Sequence, residues 1–125
     1  MIDHISVGVS DLDRSAKFYE ATLAPLGLTC LVIRPATVGF GKAYPEFWIN
    51  LRAGQPPVSP ESGRHICLRG KTTAEVDAFH AAALAAGGAS DGAPGLRPHD
   101  RVSYYAAFIV DPDGNRIEAV TFPAE

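Results

Sequence analysis

Residues 3–27, DHISVGVSDLDRSAKFYEATLAPLG, decide the fold because two kinds of periodicity meet within them. Apolar residues alternate with small or polar ones through residues 4–9, and this period of two predicts a half-buried β-strand. The following segment repeats apolar residues every three to four positions, with Ser10 and Asp11 as N-cap candidates and Gly27 as its end. The stretch therefore predicts a strand followed by an amphipathic helix.

The same strand and helix return 61 residues later, which indicates an internal duplication. Moving residues 4–27 forward by 61 positions gives seven identities in 24 positions, several times what average composition would give. The identical pairs are His4 and His65, Ile5 and Ile66, Phe18 and Phe79, Ala21 and Ala82, Leu23 and Leu84, Ala24 and Ala85, and Gly27 and Gly88.

Short strand-like runs follow each helix. In the first half LTCLVIRP, ATVGFGK and EFWINL lie between residues 28 and 51, separated by proline and glycine. In the second half the runs VSYYAAFIV and NRIEAVTF are joined by the turn sequence DPDGN, and residues 90–101 are expected to form a loop with one short strand near Leu96. Each half thus predicts a βαβββ module.

A proline-rich segment separates the two halves. Residues 53–62 contain three prolines within five positions, which excludes regular strand or helix and predicts a connector. The length of 125 residues suits one domain. We therefore expect a single α+β domain with a first module at about residues 1–52 and a second at about residues 63–125.

Composition and charge argue against several classes of protein. The formal net charge is −3 and the eleven Lys and Arg residues form no basic cluster, so no nucleic-acid partner is expected. No apolar run approaches the roughly 20 residues that span a bilayer, so no membrane partner is expected. Two cysteines and an N-terminus without a signal-like apolar core predict a cytoplasmic protein with reduced thiols.

Three residues are candidate metal ligands. His4 and His65 occupy equivalent places in the repeat, and Glu118 lies on the last predicted strand. Two neutral imidazoles and one carboxylate suit a divalent ion of iron, manganese, zinc, nickel or cobalt, with positions left open for a substrate oxygen. The separations of 61 and 53 residues match no local ligand motif, so the prediction depends on the repeat. A single strand histidine is more often a hydrogen-bonded or surface residue than a ligand.

The opening segment DHISVGVSDLDRSAKFYEATLAPLG and the closing segment YYAAFIVDPDGNRIEAV resemble the vicinal oxygen chelate superfamily, which includes glyoxalases, bleomycin resistance proteins and extradiol dioxygenases. The resemblance implies two βαβββ modules that form a cup-shaped, incompletely closed mixed β-sheet barrel with helices outside. It also implies one divalent metal ion bound by His4, His65 and Glu118. A homodimer is expected, because open half-barrels leave edge strands to cover, and in some relatives the dimer completes the site.

The chain departs from the glyoxalase I pattern at Asn50. Aligning the last strands of the two halves pairs Asn50 with Glu118, at a place where glyoxalase I-like members carry a second Glu. An amide cannot act as a base, so a glyoxalase I reaction is disfavoured and Asn50 becomes a candidate weak ligand or substrate-binding donor. The remaining His, His, Glu set resembles that of extradiol dioxygenases and fosfomycin-modifying enzymes.

Successive side chains of a strand lie on alternate faces of the sheet, so residues at every second position share a face. This strand parity selects further candidates. Trp48 is a candidate substrate wall, and Arg69 and Arg116 are alternative candidates to attract an anionic substrate or to bridge to a neighbouring carboxylate. Tyr104 and Tyr105 point to opposite faces of one strand, so one of them is expected to act as a hydrogen-bond donor beside the candidate catalytic Glu118. The sequence leaves open which tyrosine does so.

Two functions of different classes are consistent with these residues. The first is a metal-dependent lyase, isomerase or dioxygenase that acts on a small substrate chelated through vicinal oxygens. The second is a metal-free protein, similar to bleomycin resistance proteins, that sequesters an aromatic or antibiotic-like ligand. The three candidate ligands favour the enzyme, because a sequestering protein has no need of them.

Overall fold

The computed structural model describes residues 1–124 and contains the same order of elements twice. The first module consists of β1 (Ile5–Val9), α1 (Leu12–Leu23), a 3-10 turn (Ala24–Leu26), β2 (Thr29–Ile33), β3 (Thr37–Gly41) and β4 (Pro45–Leu51). The second consists of β5 (Ile66–Arg69), α2 (Thr73–Ala85), β6 (Ala89–Arg97), β7 (Tyr104–Val110) and β8 (Arg116–Thr121). The two βαβββ modules expected from the sequence are confirmed.

Each module forms a four-stranded mixed sheet. The strand order is β1-β4-β3-β2 in the first sheet and β5-β8-β7-β6 in the second. The first and last strands of each module pair in parallel, while the other neighbours are antiparallel. Over residues 1–124 the two sheets do not close into a barrel, in agreement with the expected α+β fold.

The helices of both modules share one hydrophobic core. Side chains from α1 and α2 pack together and against one face of each sheet. On β4, Phe47 and Ile49 are fully buried while Trp48 between them is partly exposed, as alternation along a strand requires. The largest fully buried side chains include Tyr19, Phe18, Phe40, Phe47, Phe79, Leu23, Ile49, Ile109 and Ile117.

Both helices begin at capping residues that the sequence provides. The Asp11 carboxylate accepts a 3.1 Å hydrogen bond from Arg14 N, and Thr72 Oγ1 accepts one of 3.1 Å from Glu75 N. These bonds satisfy N–H groups that have no partner inside a helix. Within residues 1–124 neither helix is long and apolar enough to cross a membrane.

The structure corrects the expectation of a loop at residues 90–101. Strand β6 covers nine residues and pairs with β7, with register shifts between Ser90 and Gly92 and between Gly92 and Gly95. Such bulges accommodate glycine and Pro94, which lacks an N–H, inside a strand. They also disrupt the regular alternation by which a strand is recognised in a sequence.

The connector at residues 53–62 contains no strand or α-helix but does include one regular turn. A 3-10 turn at Pro60–Ser62 begins after Ser59, whose Oγ accepts a 3.2 Å hydrogen bond from Glu61 N. Proline is compatible with the first position of such a turn because the N–H there has no partner.

The turn between β7 and β8 ties the two modules together. Asp111 is 4% exposed and accepts hydrogen bonds from the Tyr19 hydroxyl at 2.6 Å, from Asp113 N, and from the backbone and side chain of Asn115. Asn115 Nδ2 also donates to Gly8 O at 3.0 Å. Burial raises the pKa of Asp111, and these donors oppose that rise.

Candidate active site

Strand parity gives the second sheet one face toward the helices and one outward face. Cys67 and Glu118 are paired on the outward face, and Tyr104 shares it. Tyr105 lies on the helix side, where its hydroxyl donates to Asp77 Oδ1 of α2 at 2.5 Å. Of the two candidate tyrosines the structure therefore brings Tyr104 to Glu118 and leaves Tyr105 on the opposite face.

Glu118 is the centre of a hydrogen-bonded cluster. The residue is 3% exposed, and each carboxylate oxygen has a partner: His65 Nε2 lies 2.9 Å from Oε1, and the Tyr104 hydroxyl donates to Oε2. Such partners offset the cost of a buried charge. Burial, and then the charge of Glu118, raise the pKa of the Cys67 thiol to about 12. The hydrogen bond to Glu118, followed by burial, raises the pKa of Tyr104 above its usual value.

His65 lies where three surface cavities meet. One of about 450 Å³ lies between Ile5–Gly8 and the segment 63–66, one of about 410 Å³ is lined by Phe108, and one of about 510 Å³ is shared with His4. The His65 side chain is 49% exposed, so the pair that it forms with Glu118 can be reached from solvent. These volumes are in the range of small-molecule sites.

His4 does not join this cluster. Its side chain is 54% exposed, and its Nδ1 lies 2.7 Å from Asp3 Oδ2. In the part of the chain that the structure describes, no three His, Cys, Asp or Glu side chains form a group that could hold a metal ion. The structure thus brings together His65 and Glu118, two of the three expected ligands, and not the third.

The His65 and Glu118 pair has the chemistry of part of a metal site. An imidazole nitrogen and a carboxylate oxygen 2.9 Å apart could both contact one ion, since typical bonds are about 2.1 Å. Two protein ligands are fewer than the three or four of most transition-metal sites. His65 and Glu118 could therefore hold a divalent metal ion if at least one more protein ligand joined them.

The strand pairing does not support the expected equivalence of Asn50 and Glu118. In the second sheet Glu118 is opposite Cys67, whereas in the first sheet Ser6, the repeat equivalent of Cys67, is opposite Trp48. Asn50 lies two residues further along β4. A shift of two residues keeps every side chain on its face, so strand parity in a sequence cannot reveal it.

Trp48 and Asn50 are both on the outward face of the first sheet, as expected from parity. The Trp48 indole lies against Gly39, where a Cβ would be 2.9 Å from Cε3 and Cζ3, and the Arg34 guanidinium carbon lies 5.5 Å from the ring centroid. Thr37 Oγ1 donates a 2.6 Å hydrogen bond to Asn50 Oδ1. Neither residue belongs to the hydrogen-bonded cluster of Glu118.

Arg69 lies in a different cavity from His65. Its guanidinium carbon is 4.7 Å from the centroid of the Phe122 ring, and both residues line a cavity of about 450 Å³ that also contains Lys42 and Lys71. An anion held by Arg69 in this cavity would therefore lie outside the Glu118 cluster.

Sequence reasoning missed two neighbours of the candidate ligands. Glu46 has the strand parity of Trp48 and lines the same groove as His4 and His65, so parity could have identified it. The His99 ring stacks on Tyr104 with centroids 5.8 Å apart and planes at 9°. No sequence signal predicts this second contact, because it depends on the path of an irregular segment.

Comparison with known proteins gives consistent matches. The model of the Glyoxalase/Bleomycin resistance protein/Dioxygenase superfamily matches residues 1–119. A glyoxalase/bleomycin resistance protein from Albidiferax ferrireducens is 34% identical, with a TM-score of 0.83 over 94% of this chain and 96% of that chain. A glyoxalase-related enzyme from Fulvimarina pelagi is 20% identical, with a TM-score of 0.72 over 96% of this chain and 86% of that one. A mutant of glyoxalase I from Zea mays is 24% identical, with a TM-score of 0.73 over 94% of this chain and 44% of that one. Among curated proteins no sequence match is found.

Proposed function

Because the chain belongs to the glyoxalase/bleomycin resistance protein/dioxygenase superfamily, we propose that it is a metal-dependent enzyme acting on a small substrate chelated through two vicinal oxygens. The observation that carries the proposal is the pair of His65 and Glu118, whose Nε2 and Oε1 atoms lie 2.9 Å apart beside open cavities. The reaction is an oxygenation if the metal is iron, and a lyase or isomerase reaction if it is manganese, zinc, nickel or cobalt.

In this proposal His65 and Glu118 of one chain and His4 of a second copy hold one divalent ion. When bound, the ion supplies Lewis-acid polarisation of a substrate oxygen. The imidazole of His4 is half exposed, and the neighbouring Asp3 is its single hydrogen-bond partner within residues 1–124, so it is free to serve a site in another chain. This arrangement would supply the ligand that one chain alone lacks.

Exposed apolar residues on edge strands support the homodimer. Ile33 on β2 is 79% exposed and Leu96 on β6 is 65% exposed, and both strands lie at the outer edges of their sheets. An exposed edge with apolar side chains is a surface that another chain can cover. We place the protein in the cytoplasm, which is supported by the unpaired cysteines Cys30 and Cys67.

Tyr104 and Glu118 would carry the proton chemistry. A tyrosine phenol is protonated at neutral pH, and the hydroxyl of Tyr104 donates to Glu118, so it can donate a hydrogen bond either to this carboxylate or to a developing negative charge on the substrate. Asn50 is an amide and supplies no base, which disfavours the reaction of glyoxalase I.

Metal analysis of purified dimers tests the proposal. We expect about one first-row metal ion per chain in the wild type, and a loss of roughly 100-fold or more in affinity in His65→Ala and His4→Ala. His80→Ala, on a helix away from the cluster, is the matched control. Heterodimers of His4→Ala and His65→Ala chains should regain one site per dimer, because one of their two shared sites keeps all its ligands. Wild-type protein that binds none of these metals would overturn the proposal.

A metal-free binding protein is the second candidate, and Trp48 favours it. Its indole is partly exposed on an outward sheet face and is the single tryptophan of the chain, so its fluorescence reports a ligand there. Saturable quenching by a bleomycin-like or other large aromatic ligand in the presence of a chelator, with no metal bound, would support sequestration instead of catalysis.

A further inference from the structure

Three cations that take no part in the Glu118 cluster surround one cavity. Lys42, Arg69 and Lys71 line a cavity of about 450 Å³ together with Gly70, Thr121 and Phe122. The chain has a formal net charge of −3, yet none of the ion pairs formed within residues 1–124 involves these three side chains. Cationic side chains that form no ion pair and surround a concave surface concentrate anions there.

The cavity forms at the junction of the two modules. Lys42 starts the turn after β3, where Gly41 is required because a Cβ would lie 1.8 Å from Tyr44 O. A Cβ at Gly70 would lie 3.3 Å from Leu26 Cδ2, so the first module packs closely against the end of β5. Lys42 of the first module and the residues that flank Gly70 in the second therefore line the same cavity.

The surrounding groups leave the cations available. The Arg69 guanidinium carbon lies over the Phe122 ring, 4.7 Å from its centroid, and such a contact does not use the N–H groups of the guanidinium. Glu75 Oε1 accepts a 3.2 Å hydrogen bond from Lys71 N, and Thr72 Oγ1 caps Glu75 N, so the start of α2 is satisfied by its own side chains. Attraction for an anion therefore comes from the three cationic side chains.

We propose that this cavity binds the phosphate group of a small molecule. Three cations suit a tetrahedral dianion better than a carboxylate, which carries one charge, and Arg and Lys are both common phosphate-binding residues. Arg69 is two residues from Cys67 on the same face of β5, so the Cα atoms of these two residues are about 7 Å apart. Cys67 is the residue that lies opposite Glu118 in the neighbouring strand β8. The proposal does not depend on a metal at His65.

Titration with inorganic phosphate, followed by ¹⁵N NMR at constant ionic strength, tests this site. We expect saturable shifts of the Lys42, Gly70 and Lys71 amides with one phosphate per chain, and much weaker binding of acetate. Lys42→Met and Lys71→Met should each weaken phosphate binding by about fivefold. Lys17→Met, which removes the same charge from an exposed position on α1, is the matched control.

Two outcomes would overturn the proposal. One is a set of phosphate shifts that do not saturate or that acetate reproduces at the same concentration. The other is an equal loss of affinity in Lys17→Met and in the two cavity variants, which would indicate general attraction to the protein's charge. The amide spectra of all three variants also show whether each is folded.

Discussion

The Tyr19 hydroxyl on α1 donates a 2.6 Å hydrogen bond to Asp111 Oδ2 on the turn before β8, and this bond joins the two modules inside the protein. Tyr19 is fully buried and Asp111 is 4% exposed, so water cannot easily replace the donor if it is removed. We predict that Tyr19→Phe lowers the free energy of unfolding by about 1–3 kcal/mol, measured by urea denaturation.

Tyr105→Phe is the control for that measurement. Its hydroxyl bonds Asp77, which is exposed, so the carboxylate can turn to water when the donor is lost. We expect a change within about 0.5 kcal/mol for this variant. Equal losses in the two variants would contradict the special importance of the bond between modules.

The raised pKa of the Tyr19 phenol predicts how the free energy of unfolding changes at alkaline pH. Burial, and then the charge of Asp111, hold the pKa of Tyr19 well above 10 in the folded protein. Above pH 10 the unfolded chain releases this proton while the native state keeps it, so stability falls as pH rises, by at most about 1.4 kcal/mol per pH unit. The stabilities of wild type and Tyr19→Phe should therefore converge between pH 9 and 11. A constant difference would contradict the raised pKa.

Cys67 is predicted to react slowly with alkylating reagents because its thiol lies against Glu118 and Tyr104, although the residue as a whole is exposed. A pKa of about 12 leaves little thiolate at pH 8, and allowing for the greater nucleophilicity of a basic thiolate, we expect alkylation roughly 30- to 100-fold slower than that of a free thiol. Glu118→Gln should accelerate the reaction, because the carboxylate charge contributes to the raised pKa. Mass spectrometry of peptides separates Cys67 from Cys30, and Glu61→Gln is an exposed control.

Gly39 is predicted to determine where the indole of Trp48 lies. A Cβ at this position would be 2.9 Å from two ring carbons, so Gly39→Ala should displace the ring, at a cost of about 1–3 kcal/mol in stability. The emission maximum of the single tryptophan is the measurement. Gly95→Ala, where a Cβ would lie 3.3 Å from Nη1 of Arg97 and not near Trp48, should leave the emission unchanged.

The repeat made most of the fold predictable from the sequence. Equivalent strands and helices follow from identities such as His4 with His65, and the caps of both helices follow from Asp11 and Thr72. Strand β6 could not be predicted in full, because its bulges around Gly92 depend on pairing with β7. Such pairing is a long-range interaction that local patterns do not record.

The candidate site was predictable only within the second module. The repeat and the last predicted strand identified His65 and Glu118 as candidates, and the structure adds that Tyr104 is the tyrosine beside them. The separation of His4 from this pair could not be predicted, because a repeat establishes that positions are equivalent and not how two modules are oriented. That orientation depends on tertiary packing of the shared core around Tyr19 and Phe79.

One of the two inner strands of each sheet is also the last strand of its module, and this has a consequence for the folding rate. Ile5 on β1 pairs with Phe47, 42 residues later, and Ile66 on β5 pairs with Ile117, 51 residues later. Until β4 and β8 insert, the first strand of each module has no partner in its sheet. Closing such long loops has an entropic cost that must be met before the contacts form. The pairing of β4 and of β8 should therefore be a late event in folding. Before it occurs, the unpaired strands β1 and β5 of an unfolded or nascent chain are open to misfolding and aggregation.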